Sequence, residues 1–138
     1  MSKGKLMGHT PSNYDPWLHA DRVGVVIEYR DDFADPLMIA GYSPETERIY
    51  VRRGLRYTVE RCALAHELVH WEHRDSGTPK EEHRADRIAA ERLIDQQALD
   101  ALLAETLDVE RIARELTVTV RMLTVRLALP EIKQEQAA

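Results

Sequence analysis

Three residues in one short stretch, CALAHELVHWEH at positions 62–73, have types and spacing that could do chemistry. His66 and His70 are four positions apart, so on an α-helix their imidazoles lie about 40° apart around the axis and project from one face. Glu67 follows His66 directly, which completes the pattern H-E-x-x-H. Two imidazoles on one face can bind one zinc ion, and a carboxylate beside them can take a proton from water. The stretch therefore predicts a hydrolytic zinc site with Glu67 as the catalytic base.

A second segment, EEHRADRIAAERLI at positions 81–94, is predicted to complete the site. Glu82 and Asp86 are about one helical turn apart, and the stripe they begin continues into apolar residues, which indicates a buried face. A buried carboxylate is costly unless it is paired or bound to a metal. We therefore predict Glu82 as the third metal ligand and Asp86 as the acceptor that orients a ligand imidazole. Three protein ligands leave the fourth tetrahedral position to water, as in a catalytic zinc site.

Each of these residues also has a purely structural interpretation. His66 and His70 could be core histidines whose nitrogens are satisfied by hydrogen bonds. Glu82 could be an acid of the first helical turn that the helix dipole stabilises, and Asp86 could be a surface acid. The presence of Glu67 between the histidines, together with two acids at helical spacing, favours the zinc site.

A peptide hydrolase also needs a donor for the negative charge that develops on the substrate oxygen. His73, His83 and Tyr57 are predicted as possible contacts to the substrate or to this oxygen. Tyr42 and Arg84 are chemically suitable as well. No spacing argument separates these five residues, so the sequence leaves the choice open.

The composition is typical of one soluble domain. The chain has 138 residues, a formal net charge of −5 and one cysteine, Cys62. No apolar run approaches the ~20 residues that cross a bilayer, and no apolar segment typical of a signal peptide follows the N-terminal lysines. One cysteine cannot form an internal disulfide, which fits a reducing compartment. We therefore expect a cytoplasmic protein without a membrane partner, and the acidic charge gives no reason to expect nucleic acid as a partner.

An α+β fold is predicted, with a small antiparallel sheet of about three strands packed on the two zinc-binding helices. Runs of β-branched or alternating apolar residues predict strands at positions 23–29, 37–42 and 48–52. The segment SPETE between the second and third strands is typical of a turn and predicts an antiparallel hairpin.

The helix boundaries are predicted from capping residues. Thr58 is expected to cap the histidine helix. The segment TPKE at positions 78–81 combines a capping box with proline at the first helical position, which predicts the start of the next helix. From position 98 onward the sequence predicts further helices, with two of them joined near Thr117 and an end at Pro130.

Residues 14 to about 128 resemble the ImmA/IrrE family of metallopeptidases. The resemblance lies in the lead-in RIYVRRGL, the helix RCALAHELVH, and EEHRADRIAAERLI in place of the family pattern E-x-x-A-[ND]-x-F-A-A-x-L-L. Ile88 stands where an aromatic residue is common. The segment VERIARELTVTVRMLTVRL looks like the degenerate helix-turn-helix of the family, with Thr117 where glycine would be usual.

This resemblance implies a gluzincin-like zinc peptidase that cleaves a helix-turn-helix transcriptional repressor in a mobile-element, phage or stress-response switch. Carried over residue by residue, it implies His66, His70 and Glu82 as ligands of one Zn²⁺ per chain and Glu67 as the base. By fold analogy, the peptide is expected between a sheet edge and the histidine helix, where it can add as a strand.

The chain is expected to divide into four segments. These are a flexible N-terminus at 1–13, a zinc metallopeptidase core at 14–97, a C-terminal helical subdomain at 98–130 and a tail at 131–138.

Two other functions compete with the peptidase. A zinc-stabilised interaction module, antitoxin-like or repressor-binding, would bind its partner without cutting it, but Glu67 argues against this because a structural zinc site needs no base. A DNA-binding regulator would use residues 109–127, with Arg121 and Arg126 on a recognition helix. The acidic net charge and the absent turn glycine argue against it. A metzincin site is excluded, because Ser76 stands where that pattern needs its third histidine.

Overall fold

The computed structural model describes residues 14–130 as six helices and three strands. In chain order these are α1 (Pro16–Val23), β1 (Val26–Arg30), β2 (Ala40–Ser43), β3 (Arg48–Arg52), α2 (Tyr57–His73), α3 (Pro79–Leu93), α4 (Gln96–Glu105), α5 (Val109–Leu116) and α6 (Val120–Ala128). The predicted flexible N-terminus at 1–13 and the predicted tail at 131–138 lie outside the described residues. The predicted α+β class and the three strands are confirmed.

The strands form one mixed sheet in the order β1–β3–β2. β2 and β3 pair antiparallel, with Ala40 opposite Val51, so the predicted hairpin is confirmed. β1 and β3 pair in parallel, with Val26 opposite Arg48, which corrects the prediction of an antiparallel sheet. A parallel pair needs a long crossover connection, and the segment at 31–47, which contains β2, provides one. β2 is left as an edge strand.

α2 takes part in both apolar clusters of the described residues. Leu64 and Leu68 pack with the sheet residues Ile49 and Val51. Ala65 belongs to the second cluster, which is formed with residues of α3 to α6. Because α2 is covered on two sides, its histidines project from a rigid and largely buried element.

α3 begins as the sequence predicts. The hydroxyl of Thr78 accepts a hydrogen bond from the backbone N–H of Glu81, and the Glu81 carboxylate accepts one from the backbone N–H of Thr78. Pro79 occupies the first helical position, where its missing N–H costs nothing. The start of α3, which fixes the position of Glu82 in the first turn, is therefore encoded locally.

α2 begins at Tyr57, so the predicted cap at Thr58 is wrong. Arg56 occupies the N-cap position and makes no side-chain cap hydrogen bond. The Tyr57 ring instead stacks on Trp17 of α1, with ring centroids 5.0 Å apart. The start of this helix coincides with a tertiary contact. Local sequence signals for a helix cap do not reveal such a contact.

The C-terminal helices α5 and α6 are joined at Thr117, as predicted. Thr117 adopts a left-handed conformation with φ 57°, which a β-branched residue rarely takes. The buried Arg61 side chain donates hydrogen bonds to the carbonyl oxygens of Thr117, at 2.7 Å, and Tyr14, at 3.1 Å. These bonds tie the strained turn to α2. The division of the chain at residues 97 and 98 stays a prediction, and the helical cluster contains residues from both sides of it.

Candidate metal centre

Three donor atoms converge between α2 and the first turn of α3. Nε2 of His66 lies 2.8 Å from Oε1 of Glu82 and 3.2 Å from Nε2 of His70. Nε2 of His70 lies 3.3 Å from the same Glu82 oxygen. Two donors that each lie about 2.0–2.1 Å from a zinc ion at the tetrahedral angle are about 3.3 Å apart. The three atoms therefore have nearly the spacing of three corners of a zinc tetrahedron.

The second nitrogen of each imidazole already has a partner. Nδ1 of His66 lies 2.8 Å from Oδ1 of Asp86, and Nδ1 of His70 lies 2.6 Å from Oδ1 of Asp75. Because an ionised carboxylate only accepts hydrogen bonds, these contacts assign a proton to each Nδ1, so Nε2 is the ring nitrogen that can offer a lone pair to a metal. When both Nε2 atoms are unprotonated, two lone pairs and a Glu82 oxygen face one another, which favours the binding of a proton or a metal ion among them. The donor set fits Zn²⁺.

The charges around the donor cluster also favour a cation. Burial alone lowers the pKa of His66, but the hydrogen bond to Asp86 and the negative charges of Glu67 and Asp86 raise this pKa to about 9. Burial acts to raise the pKa of Asp86, but hydrogen bonds from His66 and Arg121 lower it to about 2. The carboxylates thus attract positive charge to Nε2 of His66, where a proton and a metal ion compete for one lone pair.

Glu67 is buried next to the three donors but is not one of them. Burial raises the pKa of its carboxyl above the ordinary range. Its side chain lines two neighbouring cavities of about 310 and 220 Å³, and Glu82 lines both as well. A carboxylate with a raised pKa at the border of a cavity can exchange a proton with a molecule bound there.

His70 is supported by a residue that the sequence does not predict, Asp75. Asp75 is buried, accepts the hydrogen bond from Nδ1 of His70, and pairs with Arg84 at 3.1 Å. Its backbone N–H also donates to the carbonyl oxygen of His70, at 3.3 Å. Helical spacing cannot predict this contact, because Asp75 lies beyond the end of α2. The available signal is an acidic residue in the short break RDSG that follows the histidine helix.

The loop that carries Asp75 also passes close to Glu82. Gly77 has φ 80°, and a Cβ atom at this position would lie 3.0 Å from Oε2 of Glu82. A larger residue would therefore be strained and would press on the carboxylate. Gly77 allows the loop and the Glu82 side chain to share this space.

His66 is supported by Asp86, as predicted from helical spacing, and Asp86 has a second partner. Arg121 of α6 donates to Oδ2 of Asp86 at 2.7 Å and to Oδ1 at 3.4 Å. Arg121 also lines the larger cavity, together with His66 and Glu67. The C-terminal helices thus form part of the site, a role that their resemblance to a helix-turn-helix does not indicate.

Both cavities reach the edge strand β2. Ala40 lines each of them, Ile39 lines the larger one, and Tyr42 lines the smaller one. The hydroxyl of Tyr42 is buried and has no hydrogen-bond partner among the described residues. The edge of the sheet, the donor atoms and Glu67 therefore border the same two neighbouring cavities. The fold analogy predicts that a peptide binds here, and this stays a prediction.

The four other candidates, Tyr57, His73, His83 and Arg84, do not line either cavity. Tyr57 stacks on Trp17 at the start of α2, and Nδ1 of His73 donates to the carbonyl oxygen of Val69 at 2.8 Å. His83 is exposed on α3. Their contact with a substrate stays a prediction.

Comparison with protein families identifies the chain. The family described as the IrrE N-terminal-like domain, Peptidase M78, matches residues 20–128, which include every residue of the donor cluster. The chain belongs to this family. Membership of the IrrE N-terminal-like family supports a metallopeptidase, and the His66, His70 and Glu82 group could hold its metal.

The fold of this IrrE N-terminal-like domain also occurs in a solved structure, that of a Mycobacterium tuberculosis transcriptional regulator. The two chains superpose with a TM-score of 0.62 at 16% sequence identity, over 87% of this chain and 41% of the regulator. The chain thus spans less than half the length of that structure. No curated protein matches the sequence. Within residues 14–130, no helix combines the length and apolar character needed to cross a membrane.

Proposed function

We propose that this protein is a zinc-dependent endopeptidase that cleaves a helix-turn-helix transcriptional repressor. The observation that carries the proposal is the convergence of two imidazole lone pairs and one carboxylate oxygen at 2.8–3.3 Å, with Glu67 buried beside them. A site that only held a metal for stability would need no unliganded carboxylate at the border of a cavity.

In this proposal, different residues of the chain have different roles in peptide hydrolysis. His66, His70 and Glu82 would hold the zinc ion, and Asp86 and Asp75 would fix the orientation of the two imidazoles. Bound zinc supplies a Lewis acid that makes water more acidic and polarises the scissile carbonyl.

Glu67 acts as the proton carrier in this proposal. Its carboxylate takes a proton from the attacking water and later gives it to the amine that leaves the cut peptide bond. The raised pKa of Glu67 suits both transfers, because the group must bind the proton and then release it.

The substrate would lie along the edge strand β2. Ala40 borders both cavities, and an extended peptide can hydrogen bond to an exposed strand edge while its carbonyl faces the donor cluster. We propose a repressor as substrate because the sequence resembles the ImmA/IrrE metallopeptidases over both of its site motifs.

The test uses Glu67→Gln, which keeps the size of the side chain but cannot accept the proton. Wild type, Glu67→Gln and Glu115→Gln are incubated with a panel of helix-turn-helix repressors. Glu115 is exposed on α5 and controls for the change of charge. Cleavage and co-purification of the repressor are followed together.

Cleavage by wild type and Glu115→Gln, with a loss of about 10² or more in turnover for Glu67→Gln and retention of the uncut repressor, supports the peptidase. Equal binding by all three proteins without any cutting, at full zinc occupancy, would replace it with an interaction module.

A further inference from the structure

The larger cavity beside the donor cluster is mostly apolar away from the metal end. Its walls include Val59 and Ala63 of α2, Ile39 beside β2, and Met122 of α6. Its volume of about 310 Å³ is sufficient for a large side chain and the adjacent backbone. The cavity therefore has the shape and surface of a subsite for an apolar substrate side chain.

Arg121 gives this cavity a charged feature. Among the described residues that line it, Arg121 carries the only permanent positive charge. Its pairing with Asp86 fixes one side of the guanidinium, yet 67% of the side chain remains exposed. Arginine has five N–H donors in a planar fork, so the bonds to the two Asp86 oxygens leave donors for another acceptor.

The position of Arg121 matters because carboxylates of the chain surround the metal end. Glu67 and Glu82 line the same cavity, and their two negative charges offset the charge of a bound Zn²⁺, so the metal end gives little net attraction for an acidic substrate side chain. Arg121 offers the compensating charge at a fixed place, because α6 is held by the buried residues Met122 and Leu123.

We propose that Arg121 and this cavity form a specificity subsite for an extended peptide that carries an acidic side chain two residues from an apolar one, so that both face the cavity. The apolar side chain enters the cavity between α2 and α6, and the carboxylate accepts hydrogen bonds from the free N–H groups of Arg121. The inference rests on the proposed function, since it names the substrate chemistry of the same site. It also gives α6 a role in substrate choice.

The test measures peptide binding in the absence of cleavage, and every protein in it carries Glu67→Gln and is loaded with zinc. The probe is a library of N-acetylated, C-amidated hexapeptides in which one position at a time is fixed as Glu, Gln, Lys or Leu. Retention on the immobilised protein is quantified by mass spectrometry for four versions: unchanged Arg121, Arg121→Gln, Arg121→Lys and Arg121→Glu. Arg114→Gln, an exposed change on α5, is the matched control.

Zinc content and circular dichroism of each variant are recorded, because Arg121 also contacts Asp86. If Arg121 acted only by positioning Asp86, its replacement would weaken all peptides equally. Arg121→Lys keeps the charge and should keep the preference even if Arg121→Gln binds less zinc.

We expect a preference for Glu over Gln of about three- to fivefold at one library position, the size of an ion pair at an exposed guanidinium. The preference should persist in Arg114→Gln and Arg121→Lys, disappear in Arg121→Gln, and change to a preference for Lys in Arg121→Glu. The proposal is overturned if the protein retains no peptides or shows no preference for Glu at any library position. It is also overturned if Arg121→Gln and Arg114→Gln show the same preference for Glu. The proposed function fails separately, when wild-type protein with zinc cuts no repressor.

Discussion

The two imidazoles of the metal centre are supported in different surroundings. On one side, His70 and Asp75 are each 4% exposed, and Arg84 pairs with the outer oxygen of Asp75. We refer to these three residues as the closed support. On the other side, His66 bonds to Asp86, whose side chain is 18% exposed and whose partner Arg121 is 67% exposed. His66, Asp86 and Arg121 form the open support.

The difference in exposure indicates that the closed and open supports have different functions. The closed support lies where the loop at 74–78 folds back on α2, away from the larger cavity. The hydrogen bond between His70 and Asp75 is buried, although both residues line the smaller cavity and the outer partner Arg84 is 36% exposed. In the open support, His66 and Arg121 border the larger cavity. We therefore expect changes in the closed support to affect stability and metal binding together, and changes in the open support to affect metal and substrate binding with little loss of stability.

The largest effect is expected from Asp75→Ala in the closed support. Removing this carboxylate leaves Nδ1 of His70 buried without an acceptor, so the free energy of unfolding should fall by about 2–3 kcal/mol, even in the metal-free protein. Zinc affinity should fall by about ten- to a hundredfold. Chemical denaturation with a chelator present measures the first effect, and zinc titration against a competing dye measures the second. Asp21→Ala, an exposed change on α1, is the control. Unchanged stability of metal-free Asp75→Ala would contradict the closed support.

A smaller effect is expected from Gly77→Ala, in the same loop. Gly77 and Gly24 both have φ 80°, so alanine at either position should cost about 1 kcal/mol through backbone strain. Only at position 77 does the new Cβ meet Glu82, at 3.0 Å, whereas nothing lies within 4 Å at position 24. Zinc titration should therefore show weaker binding for Gly77→Ala and unchanged binding for Gly24→Ala. Equal zinc affinities of the two variants would show that Gly77 does not control the position of Glu82.

The smallest effect on stability is expected from Asp86→Ala in the open support. Arg121 can turn to water when it loses its partner, and water in the larger cavity can replace the acceptor of His66, which lines it, so the free energy of unfolding should fall by about 1 kcal/mol or less. Zinc affinity should still fall by about ten- to a hundredfold, because His66 loses the acceptor that orients it. The same denaturation and titration experiments apply. A loss of stability equal to that of Asp75→Ala would remove the distinction between the two supports.

The open support could be predicted from the sequence further than the closed one. His66 and Asp86 lie on helices whose periodicity places their side chains on defined faces, and the capping box at Thr78 fixes the register of α3. Asp75 lies between two helices, where no periodicity applies, so its contact with His70 could not be derived. Arg121 could be assigned to a helix but not to the cleft, because its contact with Asp86 joins distant parts of the chain.

The pairing of the strands shows the same limit of prediction from the sequence. The hairpin of β2 and β3 is local, and the turn segment at 43–47 predicts it. The parallel pairing of β1 with β3 depends on how the intervening chain crosses the sheet, which alternation of apolar residues does not reveal. Local signals thus predicted the elements and most residues of the donor cluster, whereas the contacts that complete the cluster depend on tertiary packing.

The central claim is that two imidazoles and Glu82 hold one zinc ion, and metal analysis tests it most directly. Wild-type protein purified without chelator should contain about one zinc per chain by inductively coupled plasma mass spectrometry, because the three donors already have nearly tetrahedral spacing. His70→Ala should lose most of this zinc, whereas His83→Ala, an exposed histidine change on α3, should keep it. Folded wild-type protein that contains no zinc and takes up none when zinc is added would contradict the account.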